Sequence, residues 1–202
     1  MTFVLETNRL VLRMWTLEDS EAALQIWGDA EVMQFVGKPF ENIEVARRAL
    51  ENAIAAQDKH GICLWAAVEK CSGRVVGCCG FHPFENGLEL AYHFIPQVWG
   101  KGYATEAAQA CLSYGFGKLG AAKIVAFTHP ENIASFRVLE KIGMKYKGLV
   151  EIEGAKEKEY ELNRTEAYQI IGREGETATF LKRSFFNSEL RVIGFAPRQL
   201  NR

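Results

Sequence analysis

The feature that most constrains the fold is a glycine loop, residues 97–104, which lies between an apolar strand pattern and a long helix pattern. Gly100 and Gly102 allow a sharp turn and a close approach of the backbone to a bound group. The first N–H groups of a helix have no acceptor within the helix, and the helix dipole adds positive potential there. A strand, a glycine loop and a helix start in this order predict a binding site for a phosphorylated ligand.

Two familiar phosphate-binding patterns do not fit this loop. The phosphate loop of nucleotide hydrolases needs four residues between its glycines, followed by Gly-Lys-Ser/Thr. The dinucleotide fingerprint needs three glycines and an acidic residue at the end of the next strand. That strand is predicted over residues 123–128 and ends without one. A lone Gly-x-Gly also occurs in ordinary tight turns, so the loop alone does not select the ligand.

Length and composition limit the possible classes of protein. The chain has 202 residues, 48% hydrophobic and 24% charged, which is ordinary for one globular domain with a full core. A net charge of −1 without a dense Lys/Arg block argues against nucleic-acid binding. No apolar run is long enough for a membrane span, and no signal-peptide pattern opens the chain. The five cysteines form no Cys-x-x-Cys pair, which predicts reduced thiols, no metal and a cytoplasmic location.

Local patterns predict an α/β (α+β) fold. Strands are predicted at 10–13, 64–69, 74–82, 88–95, 123–128, 145–153 and 157–163, and helices near 16–27, 31–36, 42–57, 103–119 and 132–142. This order gives a mixed, mostly antiparallel sheet with one parallel βαβ crossover, flanked by helices. The pattern after Tyr168 is hard to read. We therefore predict one domain over residues 1–168 and a C-terminal extension, a hairpin or tail of unknown role, over 169–202.

Five stretches occur in an order that resembles a known family. They are Glu-Thr-Asn-Arg-Leu with Leu-Arg at 6–13, Asp-Ala-Glu-Val-Met at 29–33, Glu-Leu-Ala-Tyr at 89–92, the glycine loop with its helix start at 97–107, and Asn-Ile-Ala-Ser with Val-Leu-Glu-Lys-Ile-Gly-Met at 132–144. With the order of elements over about residues 3–168, they resemble the GNAT superfamily of acyl-CoA-dependent N-acetyltransferases. Within it they are similar to the RimJ/RimL-like branch of N-terminal acetyltransferases. The resemblance implies the acyl-CoA N-acyltransferase fold, in which a central parallel strand pair splays apart.

The resemblance also implies that acetyl-CoA binds here as a co-substrate, with no metal. Its pyrophosphate would lie on the amides of the loop and helix start: Val98, Gly100, Lys101, Gly102, Tyr103 and Ala104. Its pantetheine arm would lie between the splayed strands near Phe94 and Ile95. One backbone N–H there would polarise the thioester carbonyl. The side chain of Asn132 would bind the amides of the arm.

An amine must be neutral to attack a thioester, so the reaction needs a base. Glu89 matches the acidic position on this strand in the family, and strand periodicity places it on one face with Ala91 and His93. A solvated or ion-paired strand residue is the alternative reading of Glu89. His93 and His82 are the other candidate bases, because an unperturbed imidazole has a pKa of about 6.5.

The leaving thiolate benefits from a proton donor. Many members of the superfamily place a Tyr seven residues after the Asn, where this chain has Leu139. Ser135, one turn after Asn132, is then the predicted hydroxyl at the sulfur, and the alternative is an ordinary first-turn helix residue. Trp27, Phe35 and Phe40 are candidates both for an acceptor pocket and for core packing.

Three functions stay open at this point. The first is acetyl transfer from acetyl-CoA to a primary amine, with a protein N-terminus as the expected acceptor. The second keeps the fold and uses a small-molecule amine, such as a polyamine, an amino acid or an aminoglycoside. The third is a non-catalytic acyl-CoA-binding regulator, favoured by Leu139 and by Ala91 where the family usually has Gly. No nucleic-acid or membrane partner is expected, and both a monomer and a homodimer remain possible.

Overall fold

The computed structural model describes residues 3–85 and 87–173. The strands of these residues are β1 (Phe3–Glu6), β2 (Leu10–Arg13), β3 (Leu64–Glu69), β4 (Val75–Phe84), β5 (Gly87–Phe94), β6 (Lys123–Thr128), β7 (Lys145–Ile152) and β8 (Ala155–Asn163). The helices are α1 (Ser20–Trp27), α2 (Ala30–Met33), α3 (Ile43–His60), α4 (Tyr103–Gly117), α5 (Ile133–Lys141) and α6 (Arg164–Arg173). Short 3-10 helices cover Leu17–Asp19 and Pro96–Val98.

The strands form a mixed sheet in the order β1-β2-β3-β4-β5-β6-β8-β7. β5 and β6 pair in parallel, Leu88 with Ile124 and Glu89 with Val125. The other ladders described, from β1 to β4 and from β6 to β7, are antiparallel. The parallel ladder ends at Glu89 and Val125, although β5 continues to Phe94 and β6 to Thr128. The predicted fold class, a mixed sheet with one parallel pair and flanking helices, is therefore confirmed.

The described residues divide into two compact units, one with residues up to 82 and 91–110, the other with residues 83–90 and 111–173, apart from the undescribed position 86. In the first unit, the apolar faces of β2, β3, α1 and α3 form a core because their inward positions are apolar at strand and helix spacing. Its fully buried members include Leu10, Leu12, Ile26, Leu50 and Trp65. In the second unit, the core joins β6, β8 and α5 and includes Ile124, Val125, Leu139, Tyr160 and Leu162.

A buried ion pair lies beside the core of the first unit. Arg13 donates from Nη1 and Nη2 to the two carboxylate oxygens of Asp19, both at 2.7 Å, and both residues are under one-tenth exposed. Asp19 also accepts from the backbone N–H of Thr16 at 2.9 Å, which closes the capping box of the first helical turn. Burial by itself raises the pKa of Asp19, but hydrogen bonds from Arg13 and Thr16 bring that pKa below its usual value.

Most predicted elements are present, with some changes of bounds. β2, β3 and β6 have the predicted limits, whereas α2 is shorter than predicted and β4 continues through Pro83 to Phe84. β1 and α6 were not predicted from local pattern. α6 spans the predicted domain boundary after residue 168, and residues 174–202 of the predicted extension lie outside the described residues.

Several classes of feature can be assessed for the described residues. None of their helices is long and apolar enough to cross a membrane. They contain no group of three or more His, Cys, Asp or Glu side chains arranged to hold a metal ion. All five cysteines are free thiols, of which Cys71 is exposed and the others are buried. Burial raises the pKa of Cys63 to about 12, so this thiol stays protonated at neutral pH.

Candidate active site

The glycine loop of the first unit has the backbone conformation that its sequence predicts. Gly100 and Gly102 have φ values of +71° and +81°, in the left-handed region that residues with a Cβ adopt at a cost. A Cβ at Gly100 would meet no described atom within 4 Å, and one at Gly102 would meet Nη2 of Arg9 at 3.5 Å. Glycine is therefore required at both positions by conformation and not by crowding.

The N–H groups of the loop fall into two sets. The Val98 N–H donates to the Ile95 carbonyl at 3.1 Å, and the Lys101 N–H donates to the Val98 carbonyl at 3.4 Å, so both shape the turn. Among the described residues, no acceptor is bonded to the N–H groups of Gly100, Gly102, Tyr103 and Ala104. The start of α4 thus offers consecutive unbonded N–H donors, which is the arrangement that binds a phosphate or pyrophosphate oxygen.

Arg9 holds the loop in place from the beginning of the chain. Its Nε donates to Glu106 Oε2 at 2.6 Å, its Nη1 donates to the Lys101 carbonyl at 2.8 Å, and its guanidinium lies 4.3 Å from the centroid of the Tyr103 ring. Thr7 Oγ1 donates to the other oxygen of Glu106 at 2.6 Å. Burial raises the pKa of Glu106, but the hydrogen bonds from Thr7 and Arg9 lower it below its usual value.

This brace is not predicted by the sequence. A carboxylate such as Glu106 in the first turn of a helix is already accounted for by the helix dipole. Arg9 belongs to the stretch at 6–13 that carries the family resemblance, without a role of its own. The sequence shows a hydroxyl and a guanidinium two residues apart in that stretch. Nothing local shows that their shared partner lies 99 residues after Thr7 and 97 residues after Arg9.

The end of β5 is fixed by two hydrogen bonds within the first unit. The Trp99 indole N–H donates to the Phe94 carbonyl at 2.6 Å. The Ile95 N–H donates to the Val76 carbonyl at 3.0 Å. Phe94 and Ile95 lie directly before the loop, and in this arrangement the Ile95 N–H already has an acceptor.

His93 is held as a neutral imidazole. The Trp27 indole N–H donates to His93 Nδ1 at 3.0 Å, so the proton of the neutral ring is on Nε2. Burial, with a smaller contribution from His82, lowers the pKa of His93 to about 4. The Sγ of Cys78 lies 3.9 Å from the same Nδ1. Since its accepting nitrogen is occupied and its basicity is low, His93 is poorly suited to remove a proton from an amine.

Glu89, in the second unit, is a carboxylate without a charged partner among the described residues. It pairs with Val125, which in turn pairs with Glu161, so both carboxylates lie on one face of the sheet. Glu161 lies 3.6 Å from Lys123 Nζ and 3.9 Å from Lys147 Nζ. The side-chain carboxylate of Glu89 makes no hydrogen bond or ion pair with a described residue, and burial raises its pKa. The ion-paired alternative for Glu89 is therefore not what the structure shows.

Asn132 and Ser135 come together at the start of α5. The Asn132 side-chain oxygen accepts from the Ser135 N–H at 3.1 Å, which caps the helix and leaves the Asn132 amide N–H groups as donors. Ser135 is partly buried in the first turn. Leu139, where many superfamily members have Tyr, is 1% exposed and belongs to the core. Leu139 cannot supply a proton, so a hydroxyl at the sulfur must come from another residue.

The aromatic residues of the predicted acceptor wall pack together in the first unit. Trp27 is 7% exposed and lies between Trp15 and Phe40, with ring centroids 5.5 and 5.7 Å away. The Phe40 N–H donates to the Trp27 carbonyl at 2.8 Å. These contacts favour the packing interpretation for Trp27, and its indole N–H also fixes the orientation of the His93 ring.

The first unit has unbonded N–H donors at a helix start, and the second has a carboxylate without a described partner at the last pair of a parallel ladder. A mixed sheet with such a ladder and loop defines an acyl-CoA-dependent acyltransferase as the class of protein. The family described as acetyltransferase (GNAT) domain matches residues 9–145 of the chain. The chain belongs to this family and is an N-acetyltransferase.

Relatives support this assignment over most of the chain. The uncharacterized N-acetyltransferase YoaA of Bacillus subtilis is 34% identical over 152 residues, covering 73% of this chain and 85% of its own. A GNAT-family acetyltransferase from Bacillus anthracis superposes with a TM-score of 0.72 at 28% identity, covering 81% of this chain and 99% of its own. The alpha-N-protein acetyltransferase RimL, solved with coenzyme A, gives a TM-score of 0.70 at 17% identity, covering 82% and 99%. At that identity the RimL comparison shows the fold alone.

Proposed function

We propose that this N-acetyltransferase modifies a protein N-terminal amine, as the RimJ/RimL-like branch does, with Glu89 as the base. The observation that carries the proposal is the state of Glu89, whose partly buried carboxylate has no partner among the described residues and has a raised pKa. A carboxylate that is neither neutralised by lysines nor fully solvated is a stronger proton acceptor than an ordinary surface Glu.

The glycine loop binds the coenzyme in this proposal. The pyrophosphate of acetyl-CoA accepts hydrogen bonds from the N–H groups of Gly100, Gly102, Tyr103 and Ala104. Val98 and Lys101 contribute the turn, and the Lys101 side chain adds a positive charge. The pantetheine arm passes Phe94 and Ile95 and meets the amide N–H groups of Asn132. These assignments follow the resemblance, and the unbonded amides and positive φ values at the loop support them.

The reaction proceeds by direct attack in a ternary complex. Glu89 takes a proton from the ammonium of the acceptor, and the neutral nitrogen attacks the thioester carbon. A C–N bond forms, the C–S bond breaks, and the coenzyme leaves as a thiolate while the nitrogen loses its second proton to solvent. Ser135 donates a hydrogen bond to the departing sulfur. A thiol of this kind has a pKa of about 8.5, so complete protonation by the enzyme is not required.

The strength of the base favours an α-amine over an alkyl amine as acceptor. An α-amino group has a pKa of about 7.7–8.0, whereas a lysine-like or polyamine nitrogen has one of about 10.4. A single carboxylate removes the proton from the first at a cost lower by roughly 3 kcal/mol. RimL, which shares this fold, is an alpha-N-protein acetyltransferase, so the fold is compatible with a protein α-amine as acceptor. A free amino acid is the small-molecule alternative, although its own carboxylate raises the pKa of its α-amine above that of a peptide N-terminus.

The base assignment is tested with two isosteric variants on the same sheet face. Glu89→Gln removes the proposed base, and Glu161→Gln removes a carboxylate that is paired with lysines. We expect Glu89→Gln to lower kcat by about 100-fold, in the range typical of general base catalysis, with little change in acetyl-CoA affinity. Glu161→Gln should keep kcat within about twofold of wild type. Wild-type kcat and pH–rate profile in Glu89→Gln would show that another group is the base.

The acceptor class is tested by acetyl-CoA-dependent thiol release with a mixed panel. The panel contains short peptides with different N-termini, free amino acids, a polyamine and an aminoglycoside. We expect release with peptides that have a free α-amine and none with the same peptides blocked at the N-terminus. Release with the polyamine or aminoglycoside alone would contradict the proposed acceptor. If no acceptor of the panel gives thiol release although acetyl-CoA still binds, the result would favour a non-catalytic acyl-CoA-binding regulator.

A further inference from the structure

The carboxylate of Glu69, in the first unit, joins the turn after β3 to the first residue of α4. Its Oε1 accepts from the Tyr103 hydroxyl at 2.5 Å, and its Oε2 accepts from the Ser72 hydroxyl at 2.7 Å. The hydrogen bonds from Tyr103 and Ser72 lower the pKa of Glu69, so the group is an ionised, strong acceptor at neutral pH. Both oxygens of this carboxylate are therefore engaged within the protein.

The backbone that carries Glu69 is held firmly. Glu69 is the last residue of β3 and pairs with Leu10 of β2. Two backbone hydrogen bonds close the turn that follows, from the Glu69 N–H to the Arg74 carbonyl and from the Gly73 N–H to the Glu69 carbonyl, both at 2.8 Å. The carboxylate therefore projects from a fixed point of the sheet.

The backbone that leads into Tyr103 is less constrained. Tyr103 follows Gly100 and Gly102, and glycine gives a chain more conformational freedom than any other residue. The Tyr103 N–H has no acceptor among the described residues. The Tyr103 side chain, by contrast, is 8% exposed, and its ring centroid lies 4.3 Å from the guanidinium of Arg9. Contacts with Glu69 and Arg9 thus fix the residue whose unbonded N–H opens α4.

We propose that Glu69 is a positioning residue for the coenzyme, which acts through the Tyr103 hydroxyl to fix the direction of the N–H groups at the start of α4. This inference rests on the proposed binding of the coenzyme pyrophosphate at these groups. Donors that are fixed before binding lose less conformational entropy when the ligand arrives, and this raises the affinity. A carboxylate near a bound pyrophosphate repels it, so a direct effect of the Glu69 charge would have the opposite sign.

Three variants separate the hydrogen bond from the charge. Tyr103→Phe removes the hydroxyl and keeps both the ring and the backbone N–H. Glu69→Ala removes the acceptor, and Glu69→Gln keeps an acceptor oxygen without the charge. By calorimetry we expect CoA to bind about three- to tenfold more weakly to Tyr103→Phe and to Glu69→Ala than to wild type, as for loss of one hydrogen bond. Glu69→Gln should recover at least part of the lost affinity.

A double variant and a matched carboxylate complete the experiment. If the effect passes through one hydrogen bond, Glu69→Ala combined with Tyr103→Phe should bind CoA no more weakly than either single variant. Glu6 is an exposed carboxylate that lies 2.7 Å from Lys70 Nζ, and Glu6→Gln should bind CoA within about twofold of wild type. With a peptide acceptor, the KM for acetyl-CoA should rise in Tyr103→Phe while kcat and the KM for the peptide hardly change.

The results distinguish a positioning role of Glu69 from a structural or an electrostatic one. Wild-type CoA affinity in both Tyr103→Phe and Glu69→Ala, with or without a lower melting temperature, would overturn the inference and leave a structural role. Tighter CoA binding in Glu69→Ala and Glu69→Gln would overturn it as well, because the carboxylate would then act through its charge. If Glu69→Ala does not fold, Tyr103→Phe alone decides. A wild-type protein that does not bind CoA would overturn the proposed coenzyme site itself, whereas wild-type binding with unaffected variants overturns only the role of Glu69.

Discussion

Glu89 and Glu161 show how two identical side chains on one sheet face acquire different properties. Val125 lies between them, because it pairs with Glu89 on one side and with Glu161 on the other, so both carboxylates lie on the same side of the sheet. Glu161 has two lysine ammonium groups within 4 Å, whereas Glu89 has none among the described residues. Burial without compensation disfavours the charged form, which raises the pKa of Glu89. Sequence periodicity grouped Glu89 with Ala91 and His93, but it contained no information on Glu161 or on which carboxylate would be neutralised.

The raised pKa of Glu89 has a consequence for stability at the residue scale. The folded protein holds this proton more tightly than the unfolded chain, whose Glu pKa is about 4.3. The contribution of Glu89 to the free energy of unfolding is therefore most favourable below that pH and falls as pH rises through the raised folded pKa. We expect Glu89→Gln to have a melting temperature at pH 8 equal to or above that of wild type. A clear loss of melting temperature at pH 8 would show that the carboxylate stabilises the fold.

At the element scale, local sequence patterns predicted the elements that end at clear local signals. β2, β3 and β6 are short apolar runs bounded by polar turns, and α3 begins where Asn42 accepts from the N–H groups of Glu44 and Val45. α6 also had such a signal, since Asn163 and Glu166 form a reciprocal cap at its start. β1 had none, because four residues become a strand only through pairing with β2.

The site residues that the sequence could not predict depend on long-range contacts. The glycines of the loop were predictable because positive φ is a local requirement. The brace of Arg9 on Glu106 and the hydrogen bond of Trp27 to His93 join residues 97 and 66 positions apart. No periodicity or motif spacing encodes these pairs. The hydrogen bond from Trp27 argues against one of the alternatives that the sequence leaves open. It makes His93 a neutral donor, whereas the sequence allows His93 to be the base.

The glycine loop yields a prediction for which the chain offers a matched control. Gly102 and Gly61 have φ values of +81° and +71°, and a Cβ at either would meet no described backbone atom within 4 Å. Alanine at either position costs about 1–2 kcal/mol of backbone strain. We expect Gly102→Ala and Gly61→Ala to lose similar stability, and Gly102→Ala alone to weaken CoA binding, by about tenfold or more if the strain shifts the loop.

A charged variant at the same position makes the test of the loop stricter. Gly102→Glu places a carboxylate beside the amides proposed to bind the pyrophosphate, so we expect it to abolish CoA binding measured by calorimetry. Unchanged affinity in Gly102→Glu, or equal loss of affinity in Gly61→Ala, would show that the coenzyme does not bind at this loop.

At the scale of the whole molecule, we expect stability and coenzyme binding to depend on different charged groups. Arg9 and Glu106 form a partly exposed pair that positions the loop, with side chains 42% and 19% exposed. Arg13 and Asp19 form a buried pair beside the core, with side chains 9% and 10% exposed. An exposed pair contributes little to global stability, whereas removing one member of a buried pair leaves an uncompensated charge. We therefore expect replacement of Asp19 to lower the free energy of unfolding, and replacement of Arg9 to lower the affinity for CoA.

Asp19→Asn tests this division and gives a sign for the pH dependence. The variant leaves the buried Arg13 guanidinium without its counter-ion, and we expect the free energy of unfolding at pH 7 to fall by about 3–5 kcal/mol. Because the pKa of Asp19 is lowered in the folded state, its stabilisation is present above the unfolded pKa of about 3.9 and is lost as pH falls through the folded value. The difference in free energy of unfolding between wild type and Asp19→Asn, measured with urea, should therefore be largest at neutral pH and become smaller on acidification.

Asp58→Asn, at an exposed position of α3, is the control and should change the free energy of unfolding by less than about 0.5 kcal/mol. A difference between wild type and Asp19→Asn that stays constant from pH 7 to pH 3 would mean that Asp19 stabilises the fold through its shape and not through its charge.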